Sequence, residues 1–277
     1  MRRPEACVPI LAAALLLAAC APFPTEDHGP AYPVDVSRVP NAVPQYVAPS
    51  PFGNQSPYTV DGQTYDLLPS CIGYHARGIA SWYGSKFHGG RTSDGDIYDM
   101  YGMTAASKVL PLPCYVQVTN LENGQSVVVK VNDRGPFVPN RIIDLSYAAA
   151  ARIGMLGPGT ALVDVTSVTP GAPTSAPVPV ANAPLAVGTS APGSAVPIRA
   201  PQIYVQVGAF VNASNATRML ARLQADSVSP AFILQQNDNG LTFFKVRIGP
   251  IPTVDQVDAL TAKLSGLGFP SVQVVIP

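Results

Sequence analysis

The residue whose type and position could do chemistry is Asp133, in the run Val127-Val128-Val129-Lys130-Val131-Asn132-Asp133-Arg134-Gly135-Pro136-Phe137. A carboxyl group held at a strand end beside a guanidinium can protonate a glycosidic oxygen and later take a proton back, which is the chemistry of polysaccharide cleavage. Asp and Asn are also ordinary turn residues that bond their own backbone, so both readings of Asp133 stay open. Other chemistries are poorly represented. No His/Cys/Asp cluster has metal-ligand spacing, so no metal and no cofactor is expected, and neither a Gly-Xaa-Ser-Xaa-Gly elbow nor a phosphate-binding loop occurs. The formal net charge is zero and there is no Lys/Arg run, which removes the usual electrostatic signature of nucleic-acid or anionic-membrane binding. A neutral polymer is the easier partner.

Asp133 needs a sheet to hold it. Val127 to Val131 reads as a buried strand, Asn-Asp-Arg-Gly-Pro as the turn that stops it, and Ile142 to Leu145 as a second short strand. Upstream, Ile79 to Gly84 is a strand carrying the only tryptophan, Trp82, and Lys86 to Tyr101 is a long loop crowded with Gly, Asp, Ser and His. Met103 to Lys108 is expected as one helical turn, Tyr115 to Thr119 as a strand, and Asn123-Gly124 as a hairpin turn. Ser146 can cap a helix over Tyr147 to Ile153 that Gly154 ends, and Ala161 to Val168 is a last strand. Six or so short strands with one or two short helices predict a small closed β-barrel. Trp82 and Tyr83 are either barrel core or a platform for sugar rings. Arg134 either steadies the acid or a substrate carboxylate, or stabilises its own turn.

The rest of the 277 residues is arranged around this domain. With 30 prolines and only 12% charged residues, the chain reads as two modest cores joined by extended segments. Residues 1–19 have a positive start at Arg2 and Arg3 and an apolar run too short to span a bilayer and stop. Leu17-Ala18-Ala19-Cys20 resembles a bacterial lipobox, with Cys20 the acylated residue and Ala21 the pattern of outer-membrane export. An ordinary signal peptide with a chance cysteine is the alternative. Residues 20–57 read as a Pro-rich tether, and Pro57 to Tyr65 as a hairpin around Asp61-Gly62 that opens the barrel domain, 58–168. Residues 169–200 form a second, Pro/Ala/Ser-rich linker that makes the flanking domains independent. From 201 to 277 the periodicity gives β-α-β-β-α-β, with Val205 to Phe210 and Val246 to Ile251 a weak internal repeat. Cys71 and Cys114 are the other cysteines of an exported chain, and they either form a disulfide or remain free thiols.

Five blocks in order carry a resemblance to a known family. Gly78-Ile79-Ala80-Ser81-Trp82-Tyr83-Gly84, Phe87-His88-Gly89-Gly90-Arg91-Thr92, Leu110-Pro111-Leu112-Pro113, Val118 to Gly124 and Asn132 to Phe137 together resemble the rare lipoprotein A family. Residues 201–277 resemble the SPOR domain. The resemblance implies a mixed fold, a mainly β double-psi β-barrel plus a separate α+β SPOR domain. It also implies a lytic transglycosylase, which cuts between N-acetylmuramic acid and N-acetylglucosamine without water and leaves a 1,6-anhydro end. A single acid-base group suffices for that chemistry, unlike the carboxylate pair of hydrolytic glycosidases.

Carried over by position, the resemblance puts Asp133 on the family's acid and Asp99 on its second acid. Asp96 falls where active members carry glutamate, in a pattern that here reads Thr92-Ser93-Asp94-Gly95-Asp96, and Ser107 falls where they carry histidine. Asp is one methylene short, and serine cannot accept a proton near neutral pH. His88 and His75 either substitute for the missing histidine or take no part. SPOR domains bind glycan stripped of its stem peptides, and Gln206 and Arg247 are either sugar contacts or solvated strand residues. The implied setting is the cell envelope at the division septum, with a lipid on Cys20 holding the chain to the outer membrane. Two further readings remain: a non-catalytic peptidoglycan-binding lipoprotein that keeps the groove, and an expansin-like loosening of glycan.

Overall fold

The computed structural model describes residues 28–32, 34–171, 201–238, 240–269 and 271–277. The signal segment, Cys20 and residues 172–200 of the linker lie outside the described residues.

A hairpin comes first, β1 (Tyr58–Val60) and β2 (Gln63–Tyr65), turned by Asp61 and Gly62, both at positive φ as such two-residue turns require. Six strands then close a barrel: β3 (His75–Tyr83), β4 (Thr104–Ala106), β5 (Cys114–Asn120), β6 (Ser126–Asp133), β7 (Arg141–Ser146) and β8 (Ala161–Ser167), in the order β3-β7-β4-β6-β5-β8. The β3–β7 and β4–β6 pairs are parallel and the other four antiparallel. In β5, Cys114, Val116, Val118 and Asn120 are buried while Tyr115, Gln117 and Thr119 are half-buried, the period-two pattern of a barrel wall. α1 (Tyr147–Arg152) starts where Ser146 Oγ accepts from Ala149 N at 3.2 Å, and Gly154 at positive φ follows its end.

Two expectations change here. Met103 to Lys108 contains a strand rather than a helical turn, because Thr104–Ala106 fills the gap between β6 and β7 and its backbone groups bond on both sides. Three residues form no helical nucleus, so the ladder overrides alanine's helical preference. The second half of the Pro-rich segment is not a free tether. β4 pairs only with residues from Lys130 onward, and on the edge left open Ala42 N donates to the Val128 carbonyl at 2.9 Å. Arg152 holds the Val39 carbonyl, Ser50 N donates to Leu112 O, and Val36 is buried in the barrel cluster.

The C-terminal unit is β9 (Ile203–Phe210), α2 (Ala213–Ala225), β10 (Ala231–Asp238), β11 (Leu241–Ile251), α3 (Val254–Gly266) and β12 (Gln273–Val275). Its antiparallel sheet runs β10-β11-β9-β12. Asn212 and Thr253 cap the helices, and Ala216, Leu223, Val257 and Leu264 turn into the core against Val205, Val246 and Ile248. This unit is a separate domain with its own sheet, and it packs against the barrel. Ile79 and Leu162 of the barrel belong to its apolar cluster, and Asp258 on α3 takes two bonds from Arg141 and one from Asn140. Linker composition permits independence but does not impose it; the apolar residues at the contact decide.

Candidate active site

β6 delivers Asp133 to the barrel's rim. The strand stops because Gly135 sits at φ 135°, a conformation L side chains rarely adopt, and Pro136 has no N–H to donate. The loop from 92 to 96 folds over this end: Asp94 N donates to the Asn132 carbonyl at 3.2 Å, and Thr92 N to the Asp96 carbonyl at 2.9 Å. That places Ser93 on the carboxyl group. Asp133 Oδ1 accepts from Ser93 N at 2.9 Å, Ser93 Oγ at 2.6 Å and Arg134 N at 2.7 Å, whereas no donor among the described residues bonds Oδ2. One oxygen fixes the geometry and the other is left for chemistry.

Asp96 is differently placed. Its Oδ2 lies 2.6 Å from Lys130 Nζ and accepts from Asn132 Nδ2 at 3.2 Å, and Asp94 Oδ2 is 3.4 Å from the same ammonium. The hydrogen bond from Lys130 is the largest influence on Asp96 and lowers its pKa; burial opposes it, and Asn132 and the lysine charge add to the lowering. For Lys130, burial would depress the pKa, but the bond to Asp96 and the charges of Asp94 and Asp96 outweigh it and the pKa rises. Asp96 is thus held as a carboxylate. It can act through charge or as a base, not as a proton donor near neutrality.

Lys130→Met should move the Asp96 titration upward, read by carboxyl-carbon NMR. The sign follows from the lowered folded value: the pairing stabilises the fold above the ordinary aspartate pKa of 3.8 and is lost as pH falls through the lower folded one. An unmoved Asp96 titration would refute this pairing.

The other expected residues divide. Ser107 is 1% exposed; its Oγ accepts from Val109 N and Leu110 N at 3.3 Å, and its N donates to the Asp133 carbonyl at 3.0 Å. It shapes the rim rather than carrying protons. Arg134 turns away from the acid, with Nε on the Gly53 carbonyl at 2.8 Å, Nη1 on the Ser107 and Leu110 carbonyls at 3.0 and 2.5 Å, and Nη2 on Asn54 Oδ1 at 3.2 Å. Those bonds clamp the 50–54 segment to the rim, and the expected substrate contact gives way to a positioning role. Asp99 is exposed, accepts from Tyr101 N, and has no bond to Asp133 or Asp96 among the described residues. His88 Nδ1 accepts from Met100 N at 3.1 Å and lies 3.8 Å from Asp99 Oδ1, too long for a hydrogen bond. His75 bonds Asp164 at the far end of β3.

The aromatic residues split as well. Tyr83 is 6% exposed, stacked on Tyr98 with ring centroids 4.2 Å apart, and burial pushes its hydroxyl pKa well above the ordinary value. It is core, not a sugar platform. Trp82 is partly exposed and meets Tyr147 edge-on at 5.9 Å; Tyr147 meets Tyr101 at 6.3 Å, and Tyr101 meets His88 at 5.7 Å. Trp82 thus begins a row of rings beside the rim. On the second unit, Arg247 Nε donates to Gln206 Oε1 at 3.2 Å, and Phe232, Arg247, Gln206 and Gln273 stand in register across four strands.

Ser93, Lys130, Asn132 and Tyr147 are the site residues that pattern reading missed. Lys130 had a signal, a lone charge in an otherwise apolar strand and two residues from Asn132, hence on the same face. Ser93 had none, because its contact depends on how the loop folds back.

The comparisons agree with this architecture. The family model described as "Lytic transglycolase" matches residues 75–165, and the SPOR domain model matches 201–275. The endolytic peptidoglycan transglycosylase RlpA of Pseudomonas aeruginosa is 41% identical over 90% of this chain and 84% of its own length. Its namesake from Vibrio cholerae is 37% identical over 89% and 86%. A crystal structure of the Pseudomonas aeruginosa RlpA SPOR domain is 31% identical, with a TM-score of 0.26, over 27% of this chain and 99% of that one. The chain belongs to the rare lipoprotein A (RlpA) family.

Proposed function

We propose that the chain is a lytic transglycosylase of peptide-stripped peptidoglycan, in which Asp133 is the acid-base group. Asp133 Oδ2 gives its proton to the glycosidic oxygen as the bond from C1 of N-acetylmuramic acid breaks, releasing the N-acetylglucosamine hydroxyl. The 6-hydroxyl of the same muramic residue then bonds C1 and returns its proton to Asp133, which closes the 1,6-anhydro ring and regenerates the acid. Asp96 and Lys130 supply fixed charge beside the reacting sugar, and Asp99, Trp82 and His88 line the approach. Arg247 and Gln206 on the SPOR sheet contact denuded glycan and bring the chain to the septum. The observation that carries this reading is the Asp133 carboxyl group with one oxygen bound by three donors and the other open.

A second reading has its own support. Asp96 is tied to Lys130 and the hydroxyl of Ser107 is engaged by its own turn, so neither stands ready as a second proton donor, as suits a module that binds glycan without cutting it. Mass spectrometry of amidase-treated sacculi incubated with the protein decides between them: anhydro-muropeptide ends appear if the first reading holds, and only bound strands if the second does.

The chain acts in the cell envelope, held to the outer membrane by a lipid on Cys20. Cys20→Ser should abolish labelling by a clickable palmitate analogue and release the protein from the membrane fraction. Persistent labelling would overturn the anchor.

A further inference from the structure

The barrel and the SPOR unit enclose a cleft of about 540 Å³, within the range of small-ligand sites. Tyr65, Lys108 and Phe137 line one wall, and Thr261 and Ser265 on α3 line the other. Asp258 lines it too, but its carboxylate is taken by Arg141 and Asn140. We infer that this interdomain cleft is a second glycan subsite that binds an N-acetylmuramic acid residue, with the lactyl carboxylate on Lys108 and the sugar face on Phe137 and Tyr65.

Two observations converge on that ligand. Lys108 Nζ donates to the Arg141 carbonyl at 2.7 Å, and no carboxylate pairs with it among the described residues. Burial, then the charge of Arg141, lowers its pKa, as for an ammonium short of counter-charge. An ammonium has three donors, so others remain for an anion. Phe137 keeps 38% of its surface exposed, and its ring lies 5.8 Å from Tyr65, which stacks on Tyr58 at 5.4 Å. An exposed ring in the same cleft as a charged donor is what a carboxyl-bearing sugar needs.

The inference rests on the glycan-binding reading above. Its test uses the mature chain with Asp133→Asn to prevent turnover, and two ligands: denuded glycan oligomers, and the same oligomers with their lactyl carboxylates reduced to alcohols. The unaltered cleft should prefer the native oligomers by about tenfold, the order expected of one charge-assisted hydrogen bond. Lys108→Gln should erase that preference. Phe137→Ala, an exposed position that leaves the fold intact, should weaken binding of both ligands about equally. Loss of preference in Lys108→Gln with weakened binding in Phe137→Ala supports the subsite. A preference that persists in Lys108→Gln, or unchanged affinity in Phe137→Ala, overturns it while leaving the function above untouched. No binding of either ligand by the Asp133→Asn chain overturns both.

Discussion

Asp133→Asn should reduce release of anhydro-muropeptides by about 10² to 10⁴, the range that general acid-base catalysis contributes, without unfolding the barrel. The amide oxygen can still accept from Ser93 N, Ser93 Oγ and Arg134 N, so the side chain stays in place. What changes is the other position, where an NH2 group replaces the oxygen that carries the transferable proton. Asp133→Glu keeps the carboxyl group but moves it by about an ångström, and a loss near a hundredfold is expected there too. Thermal melts within a few degrees of the parent would show that the losses are chemical. Activity of Asp133→Asn within threefold of the parent would remove Asp133 as the acid. Asp96→Glu should raise activity, because the longer side chain reaches further over the rim. Ser107→His should not, since that site is 1% exposed and a ring there would displace the Val109 and Leu110 amides.

The barrel was legible because its signals are local and agree with one another. Val127 to Val131, Asn123-Gly124, Ser146 and Gly154 each specify a strand, a turn or a cap from a few neighbouring residues, and each lies where its pattern puts it. Thr104–Ala106 carries no strand signal of its own, because its strand character is supplied entirely by β6 and β7 on either side. The Pro-rich segment hides its contacts for a related reason. Proline removes backbone donors and breaks regular periodicity, but leaves carbonyls and apolar side chains that a finished surface can use. At the site, Asp133 could be read from its strand end. The assignment of three donors to one of its oxygens could not, because Ser93 is 40 residues away and reaches it through a folded loop. The pairing of Asp96 with Lys130, across 34 residues, was hidden in the same way.

Reduction of the protein should lower its unfolding free energy by about 4 kcal/mol, and its melting temperature by about 10 °C. Cys71, in the connection between the hairpin and β3, is joined to Cys114, the first residue of β5. The Cα atoms are 6.3 Å apart and the sequence separation is 43 residues. A loop of that length, closed in the unfolded chain, loses enough conformational freedom to account for the figure. The energy acts on a particular joint. Cys114 is 1% exposed in the barrel core and pairs with Val131, two residues before Asp133, so the bridge ties the hairpin connection to the wall that presents the acid. Cys71→Ala/Cys114→Ala should lose as much as reduction does, within about 1 kcal/mol, because alanine leaves only a small void. Cys114→Ser should lose more, since it buries a hydroxyl in the barrel core. Melting that is unchanged after reduction, with both thiols shown to be alkylated, would refute a stabilising role for the bridge. A melting temperature that falls in Cys114→Ala but not in Cys71→Ala would assign the loss to core packing rather than to the cross-link.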